Sequence, residues 1–89
     1  MLPSPGRIVH YSLDTADVTA VEADRRNSGR SGNPVAEGDV LPAVIVRIFS
    51  SSPDPACNLQ VLLDGTGTLW VTSRHEGDGP GTWAWPPRA

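Results

Sequence analysis

The sequence predicts an α+β domain that is mainly β: a small bent antiparallel sheet or partly open barrel of about five strands, with one helix after the first strand. Three observations carry this prediction. Leu59 to Ser73, LQVLLDGTGTLWVTS, sets two alternating apolar runs on either side of Asp64-Gly65-Thr66-Gly67, the local signature of a β-hairpin. Further short runs of β-branched, aromatic and apolar residues are bounded by Gly, Pro, Ser and Asn. Helix-start signals of consequence occur once, at Asp14.

Taken in order, Pro3-Ser4-Pro5-Gly6 is irregular and leads into a first strand over 7–13, with Val9, Tyr11 and Leu13 on one face and Ile8 and His10 on the other. Asp14 is then the expected N-cap, and Leu13 and Val18 are placed as a hydrophobic staple. The helix is expected to run to about Arg26. Its apolar stripe, Val18 and Val21 among alanines, is thin, which lays it across an edge of the sheet. Residues 27–38, NSGRSGNPVAEG, read as a flexible surface loop, and their Gly-Arg-Ser-Gly lacks the Walker spacing and lysine of a phosphate loop.

The most apolar segment, 39–50, is the expected central strand. Alternation puts Val44, Val46 and Ile48 on one face and Ile45, Arg47 and Phe49 on the other. Arg47 there either extends its guanidinium to solvent or binds an anion or a carboxylate of another subunit. In the hairpin, Leu59, Val61 and Leu63 share a parity, as do Leu69 and Val71, leaving Thr68, Trp70 and Thr72 on the opposite face. A glycine-rich loop over 74–81 precedes a closing edge strand at 82–86. Its Trp83 and Trp85 are candidates for a core lid or a subunit contact.

The chain of 89 residues makes one domain, 1–89, and buries only about two-thirds of the surface its unfolded form exposes. An internal ligand cavity is hard to build at that size, so a site between copies is the more accessible arrangement. A formal charge of −3 excludes a general binder of polymeric nucleic acid, which needs clustered positive surface. The absence of a long apolar run or an export leader speaks against membrane and secretion, and the single Cys57 excludes an internal disulfide. All seven basic residues are Arg, whose planar fork suits phosphate.

Catalytic signals are thin. His10, His75 and Cys57 have neither metal-ligand spacing nor a recognisable nucleophile–base arrangement, and no metal or cofactor is implied. Binding is better supplied: Trp70 offers a stacking face, Thr72 and Ser73 offer hydroxyls, and the arginines offer phosphate donors. Arg25 and Arg26 also complement the negative end of the helix dipole, which is reason enough for them to stand in the last turn.

Three stretches together, Gly6-Arg-Ile-Val-His-Tyr11, Leu62-Leu-Asp-Gly65 with Trp70-Val-Thr-Ser73, and Glu76-Gly-Asp with Gly81-Thr-Trp-Ala-Trp-Pro86, resemble small phage and prophage proteins. The chain is most similar to the first Thoeris anti-defence family: phage sponges that bind the cyclic ADP-ribose isomer made by bacterial TIR-domain enzymes without cleaving it. The resemblance implies a homodimer holding the signal between subunits, larger assemblies of dimers that take cyclic oligonucleotides, and action in the cytoplasm of the infected bacterium. It also implies a pocket lined by Arg25 or Arg26, Leu62, Trp70 and Thr72, completed by Arg88 of the partner chain. Leu62 stands where that family has an aromatic, and the helix-to-strand loop is shorter. Two alternatives remain beside it: a small virion or host-protein interaction module, and a nucleotide-signal hydrolase assembled by oligomerisation.

Overall fold

The computed structural model describes residues 2–50 and 53–87. Its elements are β1 (Ile8–Ser12), α1 (Thr15–Ser28), β2 (Val40–Ile48), β3 (Cys57–Leu62), β4 (Thr68–Arg74) and β5 (Trp83–Ala84). The strands form one sheet in the order β4-β3-β2-β1-β5, antiparallel at every step. Beyond β4 the chain reaches the opposite edge. The Trp83 N–H donates to the His75 carbonyl at 3.2 Å and the Gly77 N–H to the Trp83 carbonyl at 2.9 Å, forming a parallel bridge. Those contacts curl the sheet towards a barrel that stays partly open, as the alternating runs predict.

Alternation fixes the core on the concave side. Val9, Tyr11 and Leu13 from the first strand meet Ala43 and Ile45 of β2, Cys57, Leu59 and Val61 of β3, Val71 of β4 and Trp83 of β5, all buried. Trp83 belongs to the core: its ring is buried, its Nε1–H donates to the Arg74 carbonyl at 3.2 Å, and Trp85 packs edge-on against it at 5.4 Å. Of the two tryptophans named as interface candidates, only Trp85 retains exposed surface, and Arg7 lies over its ring. Trp83 is therefore a lid over the chain's own core and is unavailable to a partner.

Helix α1 fills the gap left by the open side of the sheet. Asp14 caps it through a reciprocal box: the Asp17 N–H donates to Asp14 Oδ1 at 2.7 Å, and the Asp14 N–H to Asp17 Oδ2 at 3.0 Å. Asp17 is buried, and it accepts from the Tyr11 hydroxyl at 2.5 Å and lies 3.5 Å from Arg74 Nη2. One end of the helix is thereby fixed to the end of β4. At its other end a Cβ on Gly67, just before β4, would lie within 4 Å of both Asp24 and Arg30. Side chains of the helix and of the turn after it thus meet both ends of β4, at Arg74 and at Gly67. Gly29, in the left-handed region at φ 77°, ends it.

Residues 27–38 are not the flexible loop that their composition predicts. They are tied to the hairpin tip. The Asn33 N–H donates to the Asp64 carbonyl at 2.9 Å, the Thr66 N–H to the Ser31 carbonyl at 2.8 Å, and the Asn33 amide to the Asp64 carboxylate at 2.6 Å. Gly32 and Gly65 face each other so closely that a Cβ on Gly32 would stand 2.5 Å from the Asp64 carbonyl oxygen, and one on Gly65 would stand 2.6 Å from the Gly32 Cα. Composition signals loops but not which backbones they touch.

The faces of β2 also depart from simple alternation. The ladder with β3 pairs Ile45 with Leu59 but Arg47 with Asn58, so one extra residue sits on β2 at Val46. The extra residue reverses the parity. Ala43 and Ile45 face the core before it and Ile48 packs against the core after it, while Val44, Val46, Arg47 and Phe49 lie outside.

Two predictions follow from this architecture. Gly32→Ala and Gly65→Ala each force two backbones apart and are expected to cost roughly 1–3 kcal/mol, read as a lower urea midpoint at unchanged m. The second concerns alkaline pH. Burial, then the hydrogen bond and charge of Asp17, push the Tyr11 phenol above its ordinary value, and burial pushes the Cys57 thiol up as well. The folded chain holds these protons more tightly than the unfolded one, so stability falls as pH rises past about 9–10. In Tyr11→Phe the alkaline loss of stability between pH 8 and pH 11 is expected to shrink, while stability at pH 7 drops by about 1–3 kcal/mol because Asp17 loses its buried donor.

Candidate functional site

With the concave side of the sheet filled by core, its convex face carries the exposed strand residues. Its first row crosses four strands: Trp70 pairs with Gln60, Gln60 with Val44, and Val44 with Ile8. Leu62, diagonal to Trp70, pairs with Thr68. Trp70 is 55 % exposed, Ile8 47 %, Val46 44 % and Leu62 41 %. Hairpin alternation puts Thr68, Trp70 and Thr72 on one side, as the sequence predicts, and Leu62 of β3 lies on the same side.

The second row is built by irregularity. On β4 the ladder pairs Leu59 with Val71 and Cys57 with Arg74, leaving both Thr72 and Ser73 opposite the single residue Asn58. On β2 the extra residue at Val46 likewise lies beside Asn58. Asn58 is thus flanked by a bulge on each side. Its buried carboxamide accepts from the Ser73 N–H at 3.0 Å, and Ser73 takes a left-handed conformation at φ 58°, uncommon for a residue with a side chain. The Thr72 and Ser73 hydroxyls stand 3.3 Å apart and exposed. Across β3, Arg47 comes out on the same face, its guanidinium 5.2 Å from the centre of the Phe49 ring. Arg47 is the only charged residue among the strand residues of this face.

The helix-end arginines lie elsewhere. Arg25 is committed to the clamp between loop and hairpin: its Nη1 donates to the Asn33 carbonyl at 2.8 Å, and its Nη2 is buried beside Gly32 without a hydrogen-bond partner among the described residues. Arg26 is exposed in the last turn of α1. Neither has a contact with Trp70 among those described. Arg88 lies outside the described residues.

No cavity able to hold a small molecule opens among the described residues, and no group of three or more His, Cys, Asp or Glu is placed to hold a metal. Cys57 is core, and its raised pKa disfavours the thiolate that a nucleophile needs. His75 Nδ1 stands 3.4 Å from Asp54 Oδ2 with both side chains exposed. His10 is half-buried on the convex face, opposite Pro42 and Ala84. No helix is long and apolar enough to cross a membrane.

No family model, curated protein or solved structure matches this chain. The face itself therefore carries the functional argument. Asn58 and Gln60 are not among the residues the sequence singles out, whereas Ser73 is, as a hydroxyl donor. The signal available for the first two was a pair of amides inside an otherwise apolar run, at the parity opposite Leu59 and Val61.

The Asn58 bulge is open to a direct check. Asn58→Ala leaves the Ser73 N–H without its buried partner and is expected to cost about 1–3 kcal/mol. Ser73→Gly removes the left-handed penalty and is expected to be neutral or stabilising by up to ~1 kcal/mol. Thermal melts of both single variants and of the double variant measure this, since residues in contact couple.

Proposed function

We propose that the protein is a non-catalytic phage sponge, which binds and sequesters a cyclic ADP-ribose-type or cyclic nucleotide immune signal in the cytoplasm of an infected bacterium. The observation that carries the reading is the exposed Trp70 indole, with Leu62 and Thr72 beside it, on the outer face of the sheet. A stacked base on such a platform contributes roughly 1–3 kcal/mol. Sequestration also asks for no acid, base or nucleophile. It requires protein in excess of signal and a dissociation constant below the concentration that activates the effector.

A surface face encloses little of a ligand on its own. The signal is therefore held between two copies of the chain, each covering the face of the other, and the homodimer is part of the proposal. The resemblance adds Arg26, and Arg88 of the partner chain, to the ligand's contacts in such an arrangement. Larger assemblies of dimers and cyclic oligonucleotide ligands belong to the same reading.

One observation favours a second reading. Ile8, Val46, Leu62 and Trp70 together make an apolar surface of the kind that marks protein-binding sites, which suits a virion or host-protein interaction module. Calorimetry with cyclic ADP-ribose isomers, followed by heating to denature the protein and chromatography of what is released, separates the readings. Intact ligand recovered is the expected result. Altered ligand identifies a hydrolase, and absence of heat with every nucleotide leaves the interaction module. Trp70→Ala is expected to weaken binding roughly 5- to 150-fold with an unchanged melting temperature.

A further inference from the structure

We infer that Arg47 is the phosphate-binding residue of the convex face, and that the face takes a nucleotide with its base on Trp70, its sugar against Thr72 and Ser73, and its phosphate on the Arg47 guanidinium. The inference rests on the nucleotide reading above. It departs from the helix-end arginines as the source of positive charge, and it comes from the two bulges.

Without the extra residue at Val46, Arg47 has the parity of Ile45 and points to the core side of the sheet. With it, Arg47 stands opposite Asn58 on the convex face. Without the extra residue on β4, the Asn58 position faces one hydroxyl residue; with it, Thr72 and Ser73 both do. Two independent irregularities thus act on the same three-strand strip and bring a cation, a carboxamide and two hydroxyls to one row, next to the row that holds Trp70 and Gln60. Strand spacing separates the Arg47 and Thr72 backbones by roughly 10 Å across β3, with Trp70 two residues further along β4.

The chemistry of Arg47 itself suits the role. It makes no ion pair with any described residue. Its guanidinium lies over the Phe49 ring, 5.2 Å from the ring centre, and a guanidinium fork can take a phosphate in bidentate fashion. In a chain of net charge −3, one cation on an otherwise uncharged face is a local complement for an anion and not part of a general basic surface. By contrast, Arg30 pairs with Asp24 at 2.8 Å, Arg74 lies against Asp17 at 3.5 Å, and Arg25 is held by the Asn33 carbonyl.

The test is calorimetry of the intact protein with cyclic ADP-ribose and with ADP, comparing wild type, Arg47→Gln, Arg47→Lys, Trp70→Ala and the charge-matched control Arg30→Gln. Arg47 is exposed and touches only Phe49 among the contacts described, so melting temperatures of the Arg47 variants are expected to match wild type. Expected is a loss of roughly tenfold or more in affinity for both probes in Arg47→Gln, a smaller loss in Arg47→Lys, none in Arg30→Gln, and a weaker salt dependence of the residual binding. If Arg47→Gln binds within twofold of wild type while Trp70→Ala is impaired, the inference is overturned and the sponge reading stands. Equal losses in Arg47→Gln and Arg30→Gln overturn it too, because the effect is then that of net charge. If wild type binds neither probe nor any cyclic oligonucleotide, the sponge reading fails and takes this assignment with it.

Discussion

A single hydrogen bond, from the Ser73 N–H to the Asn58 carboxamide, occupies the point where the sheet bends most irregularly. Both ladders of β3 lose register at Asn58, so this strand is where β2 and β4 are each displaced by a residue. Bulges raise local twist, and a five-stranded sheet needs extra twist to bring the chain beyond β4 to the far edge at Trp83. The same displacement turns Arg47 and Ser73 outward, next to Thr72. Curvature of the core and composition of the outer face are consequences of one local arrangement, which explains why a buried polar side chain is kept inside an apolar run.

The remaining constraint is size. A chain this short has few residues with which to protect its edges. Helix α1 meets one end of β4 through Asp17, held against Tyr11 and Arg74, and the Asp24–Arg30 pair lies near Gly67 at the other. β5 is two residues long, bridged on both sides and followed by Pro86 and Pro87. The interior holds a single layer of side chains under the sheet, with Trp83 closing it. Among the described residues no cavity opens for a guest, which is why the proposed reading turns to the convex face.

Much of this was legible in the residues. The parities of Val9, Tyr11 and Leu13, of Leu59 and Val61, and of Trp70 and Thr72 follow from strand alternation alone, and the Asp14 cap and the thin Val18–Val21 stripe place the helix and its shallow packing. Three things were not legible, each for a stated reason. A bulge is decided by pairing between strands, and β2 read alone gives Arg47 the wrong side. The pinning of residues 27–38 depends on Gly32 meeting Gly65 across 33 positions of sequence, where composition reports only a capacity to turn. Trp83 and Trp85 share a parity, but only the closure by residues 75–77 makes one a core residue and the other a partly exposed lid.

The distribution of arginines then bears on how such a face holds a charged guest. Guanidinium groups already engaged at the clamp, at the helix start and beside Asp24 stabilise the fold, and each would have to give up a partner to bind phosphate. Arg47 makes no ion pair with any described residue. Under the proposed reading, a phosphate at Arg47 would displace water without breaking an internal ion pair, which would keep the cost of association low for a protein whose surface platform encloses little of its guest. Covering the ligand's other side would supply the remaining affinity, and a face whose strand residues carry one peripheral arginine would let a second copy of the same acidic chain approach without like charges meeting at the centre of the contact.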